Sequence, residues 1–310
     1  MHTLILTPDG VGSTILQRLI TIHLHMNNKK VSNTHELTNG IKIDGNVAVK
    51  DFSIHYNQRL EDVASVLDQS DKDINLVSRL AKYHIDNRAD TEESQQQFFN
   101  FIKLFFGNKI MCLRRNVFEY ALSWSIRKKS DVLNINSPKD RAKVFQVDTV
   151  DEDYFIEKCR DYVNYLDWMQ YNFPDVQKIY YEDVVTKTDE ILELITEVPS
   201  NFIKKFGVPA SVLLKKEYEA FNSLTCGWKM NLTSKEKKAI IDYKMMTNKM
   251  TKDGLILNAP VKNTTLTDKK NQIKNFNNCL EKFYSFARNH NWIDQSMATF
   301  DFWDDTHVSN

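Results

Sequence analysis

Three features are scarce in this chain of 310 residues: paired cysteines, net charge and long apolar runs. Its 4 cysteines stand far apart in the sequence and form no CxxC pair. That spacing fits neither a zinc site nor a small disulfide scaffold. Isolated cysteines of this kind are typical of proteins kept in a reducing compartment.

The net charge is zero, because 41 Lys and Arg residues are matched by 41 Asp and Glu residues. A dedicated nucleic-acid-binding protein normally carries a basic excess, so we expect no nucleic-acid partner. Any anion-binding site must then arise from a local group of residues. With 42% hydrophobic and 26% charged residues, the composition is that of an ordinary globular protein.

No apolar run reaches the roughly 18 residues that a membrane-spanning helix needs. The first residues, MHTLILTPDG, contain no basic segment and only a short apolar stretch, which differs from a secretory signal. We therefore expect a cytoplasmic protein with no membrane partner.

Segments typical of strands and of helices alternate along the chain. Short apolar runs predict strands in TLILT, KIMCL and VQKIYY, and residues 32–56 have the composition of a surface excursion or short hairpin. Apolar periodicity predicts a long helix over 151–172 and a continuous one over 189–206. Strands that alternate with helices favour an α/β fold with a mainly parallel central sheet flanked by helices. We expect one domain over 1–310, in which 233–310 form a helical C-terminal extension.

The first predicted strand leads into LILTPDGVGSTI at residues 4–15, which has the features of a phosphate-binding loop. Gly10 and Gly12 allow the backbone to approach a ligand closely, and Ser13 and Thr14 add hydroxyl groups at the start of a helix. The lysine of the Walker pattern GxxxxGK[ST] is absent, because Ser13 stands in its place. A plain strand-to-helix turn is the alternative interpretation.

A second pattern suited to an anion follows the strand KIMCL, in the segment RRNVFEYALSWS. Arg115 stands at the N-terminus of a predicted helix, and Ser123 lies a little over two turns into it. The arginine offers a planar fork of donors that suits a phosphate, and the serine adds a hydroxyl. An amphipathic helix with a solvated arginine is the alternative.

Together the two patterns resemble the sulfotransferase family, whose members use 3′-phosphoadenosine 5′-phosphosulfate (PAPS). In that family a loop like PxxGT[ST] after the first strand binds the 5′-phosphosulfate, and a segment like R-[DN]-P-x-[DE]-x-x-x-S binds the 3′-phosphate. The resemblance implies a P-loop NTPase-like sulfotransferase fold, with Arg115 and Ser123 as 3′-phosphate ligands; Val117 stands where the family has proline. It implies these 5′-side ligands: Gly10, Val11, Gly12, Ser13 and Thr14.

Two later segments occur in the order that the family shows. IYYEDVV at 179–185 is similar to the family's YED segment, whose tyrosine lies near the adenine, and this implicates Tyr181. GWKMNLT at 227–233 is similar to the GDWKNxFT segment, and this implicates Trp228 and Lys229 in cofactor binding. The basic RKG that normally precedes that segment is replaced here by LTC.

Sulfuryl transfer needs a base that takes the proton of the attacking acceptor and a cation that stabilises the leaving phosphate. Cytosolic sulfotransferases carry a K-x-H at a strand end between the two phosphate motifs, and SRLAKYHIDN matches it with Lys82 and His84. The resemblance therefore implies His84 as the base and Lys82 as the cation. His55 is the runner-up for the base, and a surface position without chemistry is the alternative for His84.

The resemblance implies transfer of a sulfuryl group from PAPS to a hydroxyl or amine of a small molecule or glycan. The product is 3′-phosphoadenosine 5′-phosphate, which is adenosine 3′,5′-bisphosphate, and no metal is required. Two alternatives stay open: a P-loop nucleotide or nucleoside kinase, whose loop DGVGST resembles, and a sulfotransferase-like binding protein without chemistry. A homodimer also stays open.

Overall fold

The chain divides into two compact units. In a computed structural model, the described residues are 2–33, 41–43, 46–49, 74–81, 92–114, 116–132, 137–226, 230–256 and 269–289. The first unit comprises Met1–Leu113, Gln170–Ala220 and Lys229–Val261, and the second comprises Arg114–Met169, Phe221–Trp228 and Lys262–Asn310. The expectation of one domain over 1–310 stays a prediction.

The first unit is built on a five-stranded sheet in the order β2-β5-β1-β6-β7, accompanied by a two-stranded hairpin of β3 and β4. The strands are β1 Thr3–Thr7, β2 Val31–Asn33, β3 Ile41–Ile43, β4 Asn46–Val49, β5 Asn75–Ala81, β6 Asn108–Leu113 and β7 Gln177–Tyr180. All neighbouring pairs in the larger sheet are parallel, and the hairpin is antiparallel. The predicted α/β class with a parallel sheet is therefore confirmed.

Helices connect the strands and make up most of the second unit. They are α1 Ser13–Met26, α2 Glu92–Phe105, α3 Val117–Ser130, α4 Pro138–Phe145, α5 Glu152–Asn172, α6 Tyr181–Thr186, α7 Thr188–Thr196, α8 Phe202–Phe206, α9 Ala210–Cys226, α10 Ser234–Lys252, α11 Lys269–Gln272 and α12 Phe276–Asn289. None of the helices in the described part of the chain combines the length and apolar character needed to cross a bilayer.

The continuous helix predicted over 189–206 is wrong, because the chain forms α7 and α8 there. Glu197 adopts a left-handed conformation with φ 56° and ends α7. Pro199 follows two residues later, and a proline lacks the N–H that a continuing helix would need. Amphipathic periodicity runs through the break, which explains the error.

Strand β1 is the centre of the sheet, and all of its residues are buried. The parallel register places Thr7 beside Ala81, so the carboxyl ends of β1 and β5 share one edge of the sheet. Strands β1 and β6 are neighbours in the sheet, and their connections run in opposite directions. The connection after β1 leads to β2 at one edge of the sheet, and the connection after β6 leads to β7 at the other edge. Such a reversal creates a crevice at the carboxyl ends of the two strands, where ligands of open α/β sheets bind.

The core of the second unit is a cluster of phenylalanines from three helices. The ring of Phe118 on α3 meets the rings of Phe155, Phe276 and Phe283 edge-on, at centroid distances of 5.1, 5.1 and 5.6 Å. All four side chains are buried. Edge-to-face packing of this kind adds about 0.5–1.5 kcal/mol per pair to the burial of the rings. The cluster thereby holds α12 against α3 and α5.

Helix α10 begins with a capping box, and Thr233→Ala should weaken it. The Thr233 hydroxyl accepts a hydrogen bond from the backbone N–H of Glu236, whose carboxylate accepts one from the backbone N–H of Thr233. Removing the hydroxyl is expected to lower the free energy of unfolding by about 1 kcal/mol in urea denaturation. Ser234→Ala, one residue on, is the control, and an equal loss there would contradict the assignment.

Candidate functional site

The loop between β1 and α1 starts at the carboxyl end of the central strand. Gly10 and Gly12 both have left-handed backbones, with φ 80° and 90°, which few side chains tolerate. Val11 is fully buried, so it contributes its backbone to the loop. In this fully described segment, α1 has no side-chain cap and no acidic residue in its first turn. The positive end of the helix dipole at Ser13 therefore suits an anion.

Arg79 supplies the positive charge that the sequence of this loop lacks. It lies on β5, where it pairs with Ile5 of β1. Its Nη1 donates a hydrogen bond to Ser13 Oγ at 3.3 Å and a short one to Thr14 Oγ1. A guanidinium is always charged and offers several donors, so it can hold the loop hydroxyls and an anion together.

Tyr181 packs directly on the loop. It begins α6 immediately after β7, and its ring lies against the α-carbon of Gly12, so a β-carbon at that position would overlap the ring. The resemblance assigned both residues to the same cofactor, and the structure brings them into contact. Glycine is therefore required at position 12 for space as well as for its backbone conformation.

Ser123, in the second unit, is bonded to a lysine that the sequence did not implicate. Lys269 Nζ donates to Ser123 Oγ at 2.8 Å and forms a short ion pair with Glu119 Oε2. Its side chain has no exposed surface. Burial lowers the pKa of Lys269, Glu119 opposes that change, and the nearby charges of Arg114 and Arg127 lower the pKa further. The Lys269 ammonium thus lies near two guanidinium groups as well as the Glu119 carboxylate.

The chain between β6 and α3 is fixed by hydrogen bonds within the second unit. Tyr162 Oη accepts a bond from the backbone N–H of Arg114 at 2.9 Å and donates one to its carbonyl oxygen at 2.7 Å. The Asn116 side chain caps α3 by accepting a bond from the backbone N–H of Glu119. Two positions that match the sulfotransferase segment, Asn116 and Glu119, therefore have structural roles here.

Several predicted residues lie outside the described part of the chain, and their roles stay predictions. They are the runner-up base and the catalytic pair, the 3′-phosphate arginine, and the two cofactor residues before α10: His55, Lys82, His84, Arg115, Trp228 and Lys229. Within the described ranges, no group of three or more His, Cys, Asp and Glu side chains is placed to hold a metal ion.

No protein-family model matches the chain, and no curated protein matches it.

Proposed function

We propose that this protein transfers a sulfuryl group from PAPS to a hydroxyl or amine of a small molecule or glycan. The main observation in support of the proposal is the contact of Arg79 with Ser13 and Thr14. A kinase loop of the Walker type carries its cation as a lysine within the loop, whereas this loop receives a guanidinium from the neighbouring strand. Helix dipole, hydroxyls and guanidinium together suit the 5′-phosphate of a phosphosulfate.

The reaction requires charge stabilisation on the leaving side. The acceptor oxygen or nitrogen forms a bond to sulfur while the bond between sulfur and the bridging oxygen breaks, and the acceptor proton passes to a base. Adenosine 3′,5′-bisphosphate leaves with an extra negative charge on its 5′-phosphate. Arg79 and the first turn of α1 would stabilise that charge. The resemblance assigns the base to His84 and a second cation to Lys82.

The surroundings of Ser123 support its assignment to the 3′-phosphate. Its oxygen accepts a hydrogen bond from Lys269, so its own O–H remains a donor that can point to an anion. Lys269, Arg114 and Arg127 give the region a positive excess over Glu119. Because Lys269 is fully buried, it would act on the phosphate through Ser123 and through its charge, in a chain that has LTC where the family has the basic RKG segment.

Titration calorimetry with adenosine 3′,5′-bisphosphate and with Mg·ATP tests the proposal. We expect the bisphosphate to bind more tightly than Mg·ATP, and a chelator to leave its affinity unchanged because sulfuryl transfer uses no metal. Tighter binding of Mg·ATP would contradict the proposal in favour of a kinase. Binding of neither compound would favour a protein without this chemistry.

Arg79→Met is expected to weaken bisphosphate binding by about 10- to 100-fold. Hydrogen bonds to a charged group contribute roughly 1.5–3 kcal/mol each, and this variant removes the guanidinium that supplies them. The dissociation constant is again measured by calorimetry. Arg160→Met, at an exposed position on α5, is the matched control. If Arg79→Met and the wild type bind the bisphosphate with equal affinity, Arg79 does not contribute to the binding site.

A further inference from the structure

The outward face of α10 carries exposed apolar side chains surrounded by lysines. Ile241 and Met245 are 56% and 68% exposed, and their spacing of four residues places them on one face. With 3.6 residues per turn, the following lysines lie within about 80° of Ile241 around the helix axis: Lys237, Lys238, Lys244, Lys249 and Lys252. Tyr243 and Met250 are buried on the opposite face, which fixes the orientation of the helix.

Helix α8 packs against α10 and carries exposed lysines of its own. Its Ile203 is 60% exposed and stands beside the exposed Lys204 and Lys205. The rings of Phe206 on α8 and Tyr243 on α10 meet edge-on at 5.7 Å, so the two helices pack together.

The lysines of the two helices also share a neighbour. Burial lowers the pKa of His25, the charges of Lys205 on α8 and Lys249 on α10 lower it further, and the charge of Asp253 opposes them. Both ammonium groups therefore lie near the same imidazole. We call the exposed lysines and apolar side chains of α8 and α10 the basic face.

Acidic groups stand beside the basic face rather than within it. Asp242 lies at its edge, about a quarter turn from Ile241, and Asp253 follows the end of α10. Glu236 points to the other side of the helix, where it pairs with Lys216 at 3.5 Å. The lysines of the basic face therefore outnumber the two acidic residues beside it, Asp242 and Asp253.

From this arrangement we infer that the basic face binds the surface of a membrane that contains anionic phospholipids. Lysine clusters on a helix with exposed apolar groups combine attraction to lipid headgroups with shallow insertion of the apolar side chains. Nucleic-acid surfaces instead combine cations with aromatic rings on which bases stack. Ile203, Ile241 and Met245 offer no such ring, and neither α8 nor α10 contains an arginine.

This surface departs from the expectation of no membrane partner. That expectation used the length of apolar runs, which detects helices that cross a bilayer but not helices that lie on it. The inference is independent of the proposed function, because none of the residues in the basic face belongs to the loop at Gly12 or to the surroundings of Ser123.

Co-sedimentation of the full chain with vesicles tests the inference. We expect binding to vesicles of phosphatidylcholine with about one third phosphatidylserine, and weak binding to vesicles of pure phosphatidylcholine. Binding to the mixed vesicles should fall as the salt concentration rises, because salt screens the attraction between lysines and lipid headgroups. The triple variant Lys237→Gln, Lys244→Gln and Lys252→Gln should bind about 100-fold more weakly, since each lysine near the surface contributes roughly fivefold.

Two further variants make the result decisive. Lys139→Gln, Lys143→Gln and Lys270→Gln remove the same charge from exposed lysines elsewhere and should bind as the wild type does. Ile241→Ser with Met245→Ser should also weaken binding, because it removes the inserted side chains. The inference is overturned by equal binding to both vesicle types, by no binding to either, by an unaffected triple variant, or by a preference for single-stranded nucleic acid over the vesicles.

Discussion

Gly12→Ala is expected to weaken binding of adenosine 3′,5′-bisphosphate by about 100-fold or more. The φ of 90° at this position disfavours any side chain, and the added methyl group would overlap the ring of Tyr181. Either the loop or the ring must then move, and a displacement of about 1 Å in a positioned site costs roughly 100-fold. Calorimetry measures the loss of affinity, and thermal unfolding shows whether the fold is retained.

Two variants separate the contact from a general loss of structure. Gly107→Ala is the matched control, because a β-carbon at that position would meet no heavy atom of the described residues within 4 Å, apart from its own chain neighbours. The double variant Gly12→Ala with Tyr181→Ala removes the overlap with the ring but keeps the backbone strain. It should therefore be more stable than Gly12→Ala alone and less stable than the wild type. A Gly12→Ala protein that binds the bisphosphate with wild-type affinity would contradict the role of the loop.

Lys269→Met is expected to lower the free energy of unfolding by about 3–5 kcal/mol. Breaking one side of a buried ion pair leaves the other charge without compensation in a region of low polarity. Glu119 is largely buried and Lys269 is fully buried, so Lys269→Met would leave the Glu119 carboxylate buried without its ion-pair partner. Urea denaturation followed by circular dichroism measures the change.

The paired variant identifies the cause of that loss. Glu119→Gln together with Lys269→Met removes both charges and should recover most of the lost stability, since neutral replacements of buried pairs are often tolerated. Lys270→Met, at the exposed neighbouring position, should change the free energy of unfolding by less than about 0.5 kcal/mol. A Lys269→Met protein as stable as Lys270→Met would show that the ion pair is not formed.

The sequence predicted the architecture well where local periodicity decides it. The alternation of strands and helices indicated the parallel sheet, and the helix over 151–172 is observed as α5. One break within an amphipathic stretch was missed, at Glu197. The break preserves the spacing of apolar residues, so periodicity alone does not detect it. The order of the strands in the sheet was not predicted, because it depends on long-range pairing that no local pattern encodes.

The candidate site was predicted less completely, because its main cations come from distant parts of the chain. Arg79 reaches the loop from β5. In the sequence it is marked only by being a charged residue within an otherwise uncharged, buried strand. Lys269 reaches Ser123 across 146 residues of sequence. Motif spacing finds residues that are near one another in sequence, whereas these contacts depend on the tertiary fold. Tyr181, by contrast, was implicated by its motif and is found against Gly12.

The proposed function requires this chain to bind a nucleotide with phosphates at both the 3′ and the 5′ position. The dissociation constants of adenosine 3′,5′-bisphosphate and adenosine 5′-monophosphate, measured by calorimetry on the wild-type protein, test it most directly. We predict that the bisphosphate binds at least about tenfold more tightly, because charge-assisted hydrogen bonds to the 3′-phosphate contribute roughly 1.5–3 kcal/mol. Equal dissociation constants would contradict the claim, because a protein that ignores the 3′-phosphate does not recognise the sulfotransferase cofactor.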